Sequence, residues 1–133
     1  MTLQASVLAR NAMLDAFETY GSTTPVLMIR SGAPPATPET SDSGDVLATL
    51  TLDSDWMNAA SDASKTMKGT WADSSADADG TAGHFRLYLA NGTTCILQGT
   101  VTATGGNGDM TVQNLSFATG QPFSVTTFTL SLA

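Results

Sequence analysis

Cys95 and His84 are the chain's one thiol and one imidazole. A thiolate activated by an imidazole is the first chemistry they suggest, and it needs a direct hydrogen bond between the two. Asn91-Gly92 is the strongest hairpin signal in the chain, because both residues tolerate positive φ. A two-residue loop there sets Ala90 opposite Thr93, Tyr88 opposite Cys95 and Arg86 opposite Leu97. Cys95 is then displaced from His84 by about 13 Å, taking about 3.3 Å per strand residue. That is too far for a nucleophile and its base. Cys95 reads as a small apolar strand residue, and His84 as a lone surface or interface residue.

The segment Asp73 to Gly80 (DSSADADG) has the composition of a calcium loop. Aligned with an EF-hand, Ser75, Asp77, Asp79 and Gly80 take positions one, three, five and six. Position twelve is Arg86, where a bidentate Glu is required, and flanking helices are missing. A looser site built from Asp73, Asp77 and Asp79 competes with a plainer reading, a solvated turn whose Asp and Ser bond their own backbone. Glycoside hydrolysis needs a carboxylic acid of raised pKa in a pocket. Glu18 and Glu39, which supplement the aspartates, fall at exposed positions. Gly105-Gly106-Asn107-Gly108 lies between two strands, not between strand and helix as a phosphate loop requires. Trp56, Trp71, Tyr88 and Phe85 are candidates for an aromatic platform under a sugar, although at least half of them belong in the core of so small a domain. The expectation is a protein with no catalytic residue, no cofactor and no metal.

Composition points the same way. The chain has 133 residues, 41% hydrophobic and only 13% charged. Ser and Thr supply about a quarter of it. Its net charge is −7, its pI is near 4.1 and its mean hydropathy is +0.03. Such a chain repels phosphate backbones, so nucleic-acid binding is not expected. The longest unbroken apolar run, Val26 to Ile29, is too short to span a membrane. A single Cys and a single His argue against a disulfide framework and against a Cys- or His-rich zinc site. The N-terminus has no basic start leading into an apolar stretch, so a secretory signal is not expected and synthesis in the cytoplasm is.

These residues need elements to hold them. The spacing predicts one helix over 2–20, capped by Thr2 and stopped at Gly21, with Leu3, Val7, Leu14 and Phe17 near one stripe and Asp15 and Glu18 turned elsewhere. From residue 25 the sequence reads as strands and turns: 25–30, 46–52, a weaker 67–71, 83–90, 93–101, 110–115 and 123–132. The stretch 53–67 has no clear period. Residues 31–45 carry Pro34, Pro35 and Pro38 and read as a long exposed loop. On the central hairpin Phe85, Leu87, Leu89 and Ile96 share a core face. His84, Arg86, Tyr88 and Cys95 share an amphipathic one, suited to packing against the helix or a neighbouring chain. The prediction is a mainly β single domain over 1–133, an antiparallel β-sandwich of about seven strands with one N-terminal α-helix.

Several segments, read together, resemble small structural proteins of tailed-bacteriophage virions. They are the helix Arg10-Asn-Ala-Met-Leu-Asp-Ala-Phe17, the strand Val26-Leu-Met-Ile-Arg30, the loop Gly32-Ala-Pro-Pro-Ala36 and the strand Leu47-Ala-Thr-Leu-Thr-Leu52. Asp73-Ser-Ser-Ala-Asp-Ala-Asp-Gly-Thr-Ala82 leading into Phe85-Arg-Leu-Tyr88, then Asn91-Gly-Thr-Thr94 and Ser124-Val-Thr-Thr-Phe-Thr-Leu-Ser-Leu132, complete the likeness. The resemblance implies a non-enzymatic virion component, attached in several copies to other virion proteins at the tail tip, baseplate or fibre. Capsid decoration is the alternative, and a carbohydrate-binding module for the host surface a further one. The residues expected to make protein contacts are Leu3, Val7, Leu14 and Phe17 on the helix and Pro34, Pro35 and Pro38 in the loop, with a place in the core an equal alternative for the helix.

Overall fold

The computed structural model describes residues 3–21 and 23–132. The chain is mainly β with one helix. Its elements are α1 (Val7–Gly21), β1 (Val26–Ser31), β2 (Val46–Thr51), β3 (Ser64–Thr66), β4 (Ala72–Asp73), β5 (Gly80–Tyr88), β6 (Cys95–Ala103), β7 (Met110–Val112), β8 (Ser116–Phe117) and β9 (Phe123–Ser131). The expected cap, Thr2, lies outside the described residues. Ser6 takes that role, its Oγ accepting the Ala9 N–H at 3.1 Å, so α1 begins later than the periodicity predicted. Gly21 is the last residue of the helix and sits at a close approach: a Cβ there would lie 2.7 Å from Cζ2 of Trp56.

The strands form one connected sheet in the order β2-β1-β5-β6-β7-β9-β3, with β4 added on β9 and β8 on β5. The expectation of a purely antiparallel sandwich is corrected here. The sheet is mixed, because β6 and β7 run parallel, pairing Val101 with Met110 and Ala103 with Val112. A parallel pair normally needs a long crossover. Here residues 104–109 double back along β6 before β7 begins. Gly108 donates its N–H to Thr102 Oγ1 at 2.9 Å, and Asp109 Oδ2 accepts the Thr100 N–H at 2.9 Å. Only glycine fits at 108, where a Cβ would meet the Thr102 nitrogen at 2.8 Å.

The sheet is strongly curled, a half-barrel. The Asp-rich segment draws its two ends together. Asp77 donates its N–H to Leu47 O of β2 at 2.7 Å, while Ala72 and Asp73 pair with Ser124 and Phe123 of β9. Inside the curl a relay of rings runs from the helix to the central strand: Phe17, Trp56, Trp71, Phe128 and Phe85, with successive centroids 6.2, 6.2, 5.5 and 5.6 Å apart. Trp56 and Met57, in the stretch without a sequence period, are fully buried there. Non-local packing fixed them, not alternation.

The central hairpin differs from expectation in its loop and register. Leu89 N–H bonds Thr94 O, so the connection is the four residues Ala90–Thr93 and not two. Asn91 Oδ1 accepts the N–H groups of both Thr93 and Thr94 at 2.9 Å, an Asx-type turn that competes with the tighter hairpin. Tyr88 faces Cys95 as predicted, but a bulge at Ile96 then sets Leu97 opposite Leu87 and Gln98 opposite Arg86. Phe85 and Leu87 are in the core, Ile96 packs against it, and Leu89 is half-buried.

Phe128 touches both Trp71 and Phe85 and is buried. Phe128→Ala is expected to destabilise the fold by about 3–5 kcal/mol. A urea titration followed by tryptophan fluorescence should show the midpoint falling with little change in slope.

Candidate functional site

The predicted contact residues part company in the structure. Leu3 is 98% exposed and Val7 is exposed at the helix start, whereas Leu14 is buried and Phe17 half-buried against Trp56. Of the two roles open to the helix, contact or core, Leu14 and Phe17 take the second: both hold α1 to the core. Asp15 and Glu18, expected to face elsewhere, lie on the docked side as well. Asn11 Oδ1 accepts the Ala63 N–H at 2.8 Å, Asp15 Oδ1 the Ala60 N–H at 2.9 Å, and Glu18 Oε2 the Met57 N–H at 3.0 Å. Arg10 reaches Leu132 O at 3.3 Å. Lys65, from β3, is 1% exposed and donates to Asp15 Oδ1 at 2.6 Å and Glu18 Oε1 at 2.8 Å. Burial pulls the Lys65 ammonium down, but the hydrogen bonds and charges of Asp15 and Glu18 outweigh it, and the net direction is up. The Lys65 hydrogen bond, then that of the Ala60 N–H, holds Asp15 below the ordinary carboxylate value.

The consequence is a helix with inverted polarity. Its charged residues, Arg10, Asp15 and Glu18, are all engaged on the docked side. The outer face carries Leu8 (80% exposed), Met13 (54%) and Tyr20 (62%), with Ala12 and Ala16 between them. Thr19 turns its hydroxyl back to Asp15 O at 3.1 Å. The signal that could have found this arrangement was the i, i+4, i+7 spacing of Asn11, Asp15 and Glu18, a polar stripe beside the apolar one.

The loop between β1 and β2 is not simply an exposed loop. It closes over the second face of β1 and β5. His84 and Arg86 are fully buried, as is Tyr88. This corrects the reading of His84 as a surface residue, and the cover is a loop of the same chain, neither helix nor neighbour. Asp42 is its anchor: it accepts from Arg86 Nη1, from Tyr88 Oη at 2.6 Å and from Arg30 Nη2 at 3.2 Å. Arg86 Nη2 also donates to Pro38 O at 2.6 Å and Thr40 O at 3.0 Å, and Arg30 Nη1 to Gly44 O at 3.2 Å. Pro34, Pro35 and Pro38 are half-buried, and Pro35 O accepts from Gln98 Nε2 at 2.6 Å. The carbonyls of Pro35 and Pro38 point inward, so these two prolines help to hold the loop down.

Burial raises Asp42, but hydrogen bonds from Tyr88 and Arg86 and the charges of both arginines outweigh it and hold it below the usual carboxylate value. His84 Nδ1 lies 2.9 Å from Gly32 O, an acceptor, so Nδ1 carries the proton. Burial, with the charges of Arg30 and Arg86 beside it, pushes His84 below the ordinary imidazole value.

The ladder pairs His84 with Thr100 and Tyr88 with Cys95, so the thiol and imidazole stay apart as predicted. Cys95 borders a cavity of about 460 Å³ under residues 38–42, beside Arg86. Two carboxylates line it, Glu39 and Asp42, and Asp42 already accepts from Arg86, Tyr88 and Arg30. The calcium candidates do not converge either. Asp73 accepts from the N–H groups of Thr49 (3.3 Å) and Ser75 (3.0 Å), Asp77 from Thr49 Oγ1 (2.8 Å), and Asp79 from the Thr119 N–H (2.7 Å). The Thr119 N–H, then its hydroxyl, lowers Asp79. Among the described residues no group of three or more His, Cys, Asp or Glu is placed to hold a metal. The four rings considered for a sugar platform are all buried. Comparison with family models, with curated proteins and with solved structures finds no match.

Two measurements test this electrostatic reading. The folded Asp42 value is depressed, so its contribution is complete above the unfolded value of about 3.9 and is lost as pH falls through the folded one. Asp42→Asn is expected to lower stability by about 2 kcal/mol at pH 7, after allowing for its partial exposure, with the gap to wild type narrowing below about pH 4 in urea titrations. The folded His84 value is also depressed. Stability is then complete above about 6.5 and declines as pH falls from there toward the folded value. NMR of the single imidazole should give a midpoint below about 6.5.

Proposed function

We propose that this chain is a non-enzymatic structural protein of a tailed-bacteriophage virion, placed at the tail tip, baseplate or fibre and bound to neighbouring virion proteins in several copies. The observation that carries the proposal is the outer face of α1. A helix that docks through its charged and amide side chains and leaves Leu8, Met13 and Tyr20 in solvent has an apolar surface without an internal partner. Contiguous exposed apolar area of this kind marks association surfaces. Leu3 and Val7, expected contact residues, are also exposed, Leu3 ahead of the helix and Val7 at its first position.

The segment likeness to phage virion proteins supports the same reading. So does the allocation of charge: each of the five Lys and Arg side chains has a hydrogen-bonded or ionic partner, leaving no free cationic patch for a nucleic acid among the described residues. The facing halves of the curled sheet, which meet where Phe85 touches Phe128, stand in for the two layers of the sandwich expected of such a shell. Capsid decoration uses the same surface, and stoichiometry distinguishes it.

Quantitative mass spectrometry of purified particles is the test. A few copies per particle are expected for a tail-tip position, and a number near that of the major capsid protein for decoration. Absence from purified particles overturns both. A Leu8→Glu, Met13→Glu double variant should leave the melting temperature within a few degrees of wild type, because both side chains are exposed. It should reduce incorporation into particles at least tenfold.

A further inference from the structure

A further cavity lies away from α1 and from the loop over β5. It is a groove of about 640 Å³ between β4, β8 and the start of β9. That volume is within the range of small-ligand sites. Its apolar wall is Phe123 and Pro122, with Phe117 behind: the two rings are 4.9 Å apart and tilted by 44°. Phe117 is buried and Phe123 half-buried, so Phe123 offers the accessible ring face.

Two carboxamides on the rim are held in defined orientations. Asn114 Oδ1 accepts the Ser116 N–H at 2.9 Å, and Gln121 Oε1 accepts the Ala118 N–H at 3.2 Å. A backbone N–H can bond only the oxygen end of an amide, so in both residues the NH2 group is the free end. Neither NH2 has a partner among the described residues. The Ser74, Ser116 and Ser124 hydroxyls also line the groove. No Lys, Arg or His does. Its one carboxylate, Asp73, is already engaged by the N–H groups of Thr49 and Ser75.

We infer that this groove binds a neutral oligosaccharide. Fixed amide donors, hydroxyls and a ring face match the oxygen-rich edges and C–H face of a pyranose. The lack of any cation in the lining disfavours phosphate or an acidic sugar. The inference is separate from the virion reading, because it uses none of the α1 surface. It also relocates sugar binding from the buried Trp56, Trp71, Tyr88 and Phe85 to a place with no tryptophan at all.

The test is a titration of the ¹⁵N-labelled chain with cellotriose, maltotriose, mannotriose and tri-N-acetylchitotriose, with 3′-sialyllactose as the acidic comparison and a neutral Ser/Gly peptide as the protein-like one. At least one neutral trisaccharide is expected to shift amides within 113–124 saturably below 10 mM, with little response to the acidic sugar or the peptide. Asn114→Asp and Gln121→Glu keep the oxygen that accepts the backbone N–H and remove the NH2 donor. Each should weaken binding at least tenfold while leaving the melting temperature near wild type. The inference is overturned by silence from all four neutral sugars, by shifts located elsewhere, by preference for the peptide or the acidic sugar, or by variants that bind like the parent.

Discussion

Two guanidinium groups and an imidazole lie buried on the outer face of β1 and β5, and the surrounding chain is arranged to satisfy them. Arg30 is paired with His84 across the ladder, and Arg86 with Met28. A guanidinium carries five N–H donors and no acceptor, so its cover must be rich in oxygen and poor in N–H. The loop over it meets that requirement through its sequence. Proline contributes a carbonyl without an N–H, and Pro35 and Pro38 both accept from side chains beneath them. One carboxylate, Asp42, faces both arginines and Tyr88. The loop is pinched at its base, where Ser31 N–H meets Asp45 O at 3.1 Å and Asp45 N–H meets Ser31 Oγ at 2.9 Å. A strand pair buried on one face by apolar packing is thereby buried on the other by a polar lid, and the central strands acquire two dry sides.

The same logic recurs at α1. The segment between β2 and β3 offers N–H groups from Met57, Ala60 and Ala63 that no strand partner takes. The helix answers with Glu18, Asp15 and Asn11. Lys65 then sits between two carboxylates, which keeps it charged although nearly inaccessible. Once the docked face is committed to polar work, the apolar residues that remain on α1 have only solvent to face. The exposed Leu8, Met13 and Tyr20 thus follow from how the irregular 56–65 segment must be satisfied.

Alternation made the long strands legible: β1, β2, β5, β6 and β9 stand within a few residues of where period two put them, and the hairpin pairing of Tyr88 with Cys95 was readable from Asn91-Gly92. What sequence could not supply was contact between distant segments. Nothing local says that Asp42 will meet Arg86 or that Thr49 will bond Asp73 and Asp77. The parallel pairing of β6 with β7 was hidden for a related reason. A short Gly-rich connection reads as a hairpin turn, and only its approach to Thr102 turns it into a return path. The amphipathic face of His84, Arg86 and Tyr88 was recognised as needing a cover, but its alternation carried no mark of which element would provide it. Trp56 and Trp71 showed the limit of composition: aromatic residues set among Ser, Asp and Ala resemble a platform, yet their rings complete the core relay.

Charge allocation connects these details to recognition. With a net charge of −7, any two copies repel at long range. Yet the few cations are spent internally or on adjacent acids, and two surfaces are left nearly neutral: the outer face of α1 and the groove beside Phe123. Association at either relies on apolar contact and neutral hydrogen bonds, whose strength changes little with ionic strength. Salt acts instead on the background repulsion, screening it over about 8–10 Å at physiological concentrations. Contacts at both surfaces should therefore tighten or hold steady as salt rises, opposite to the behaviour of a surface that works through lysine and arginine.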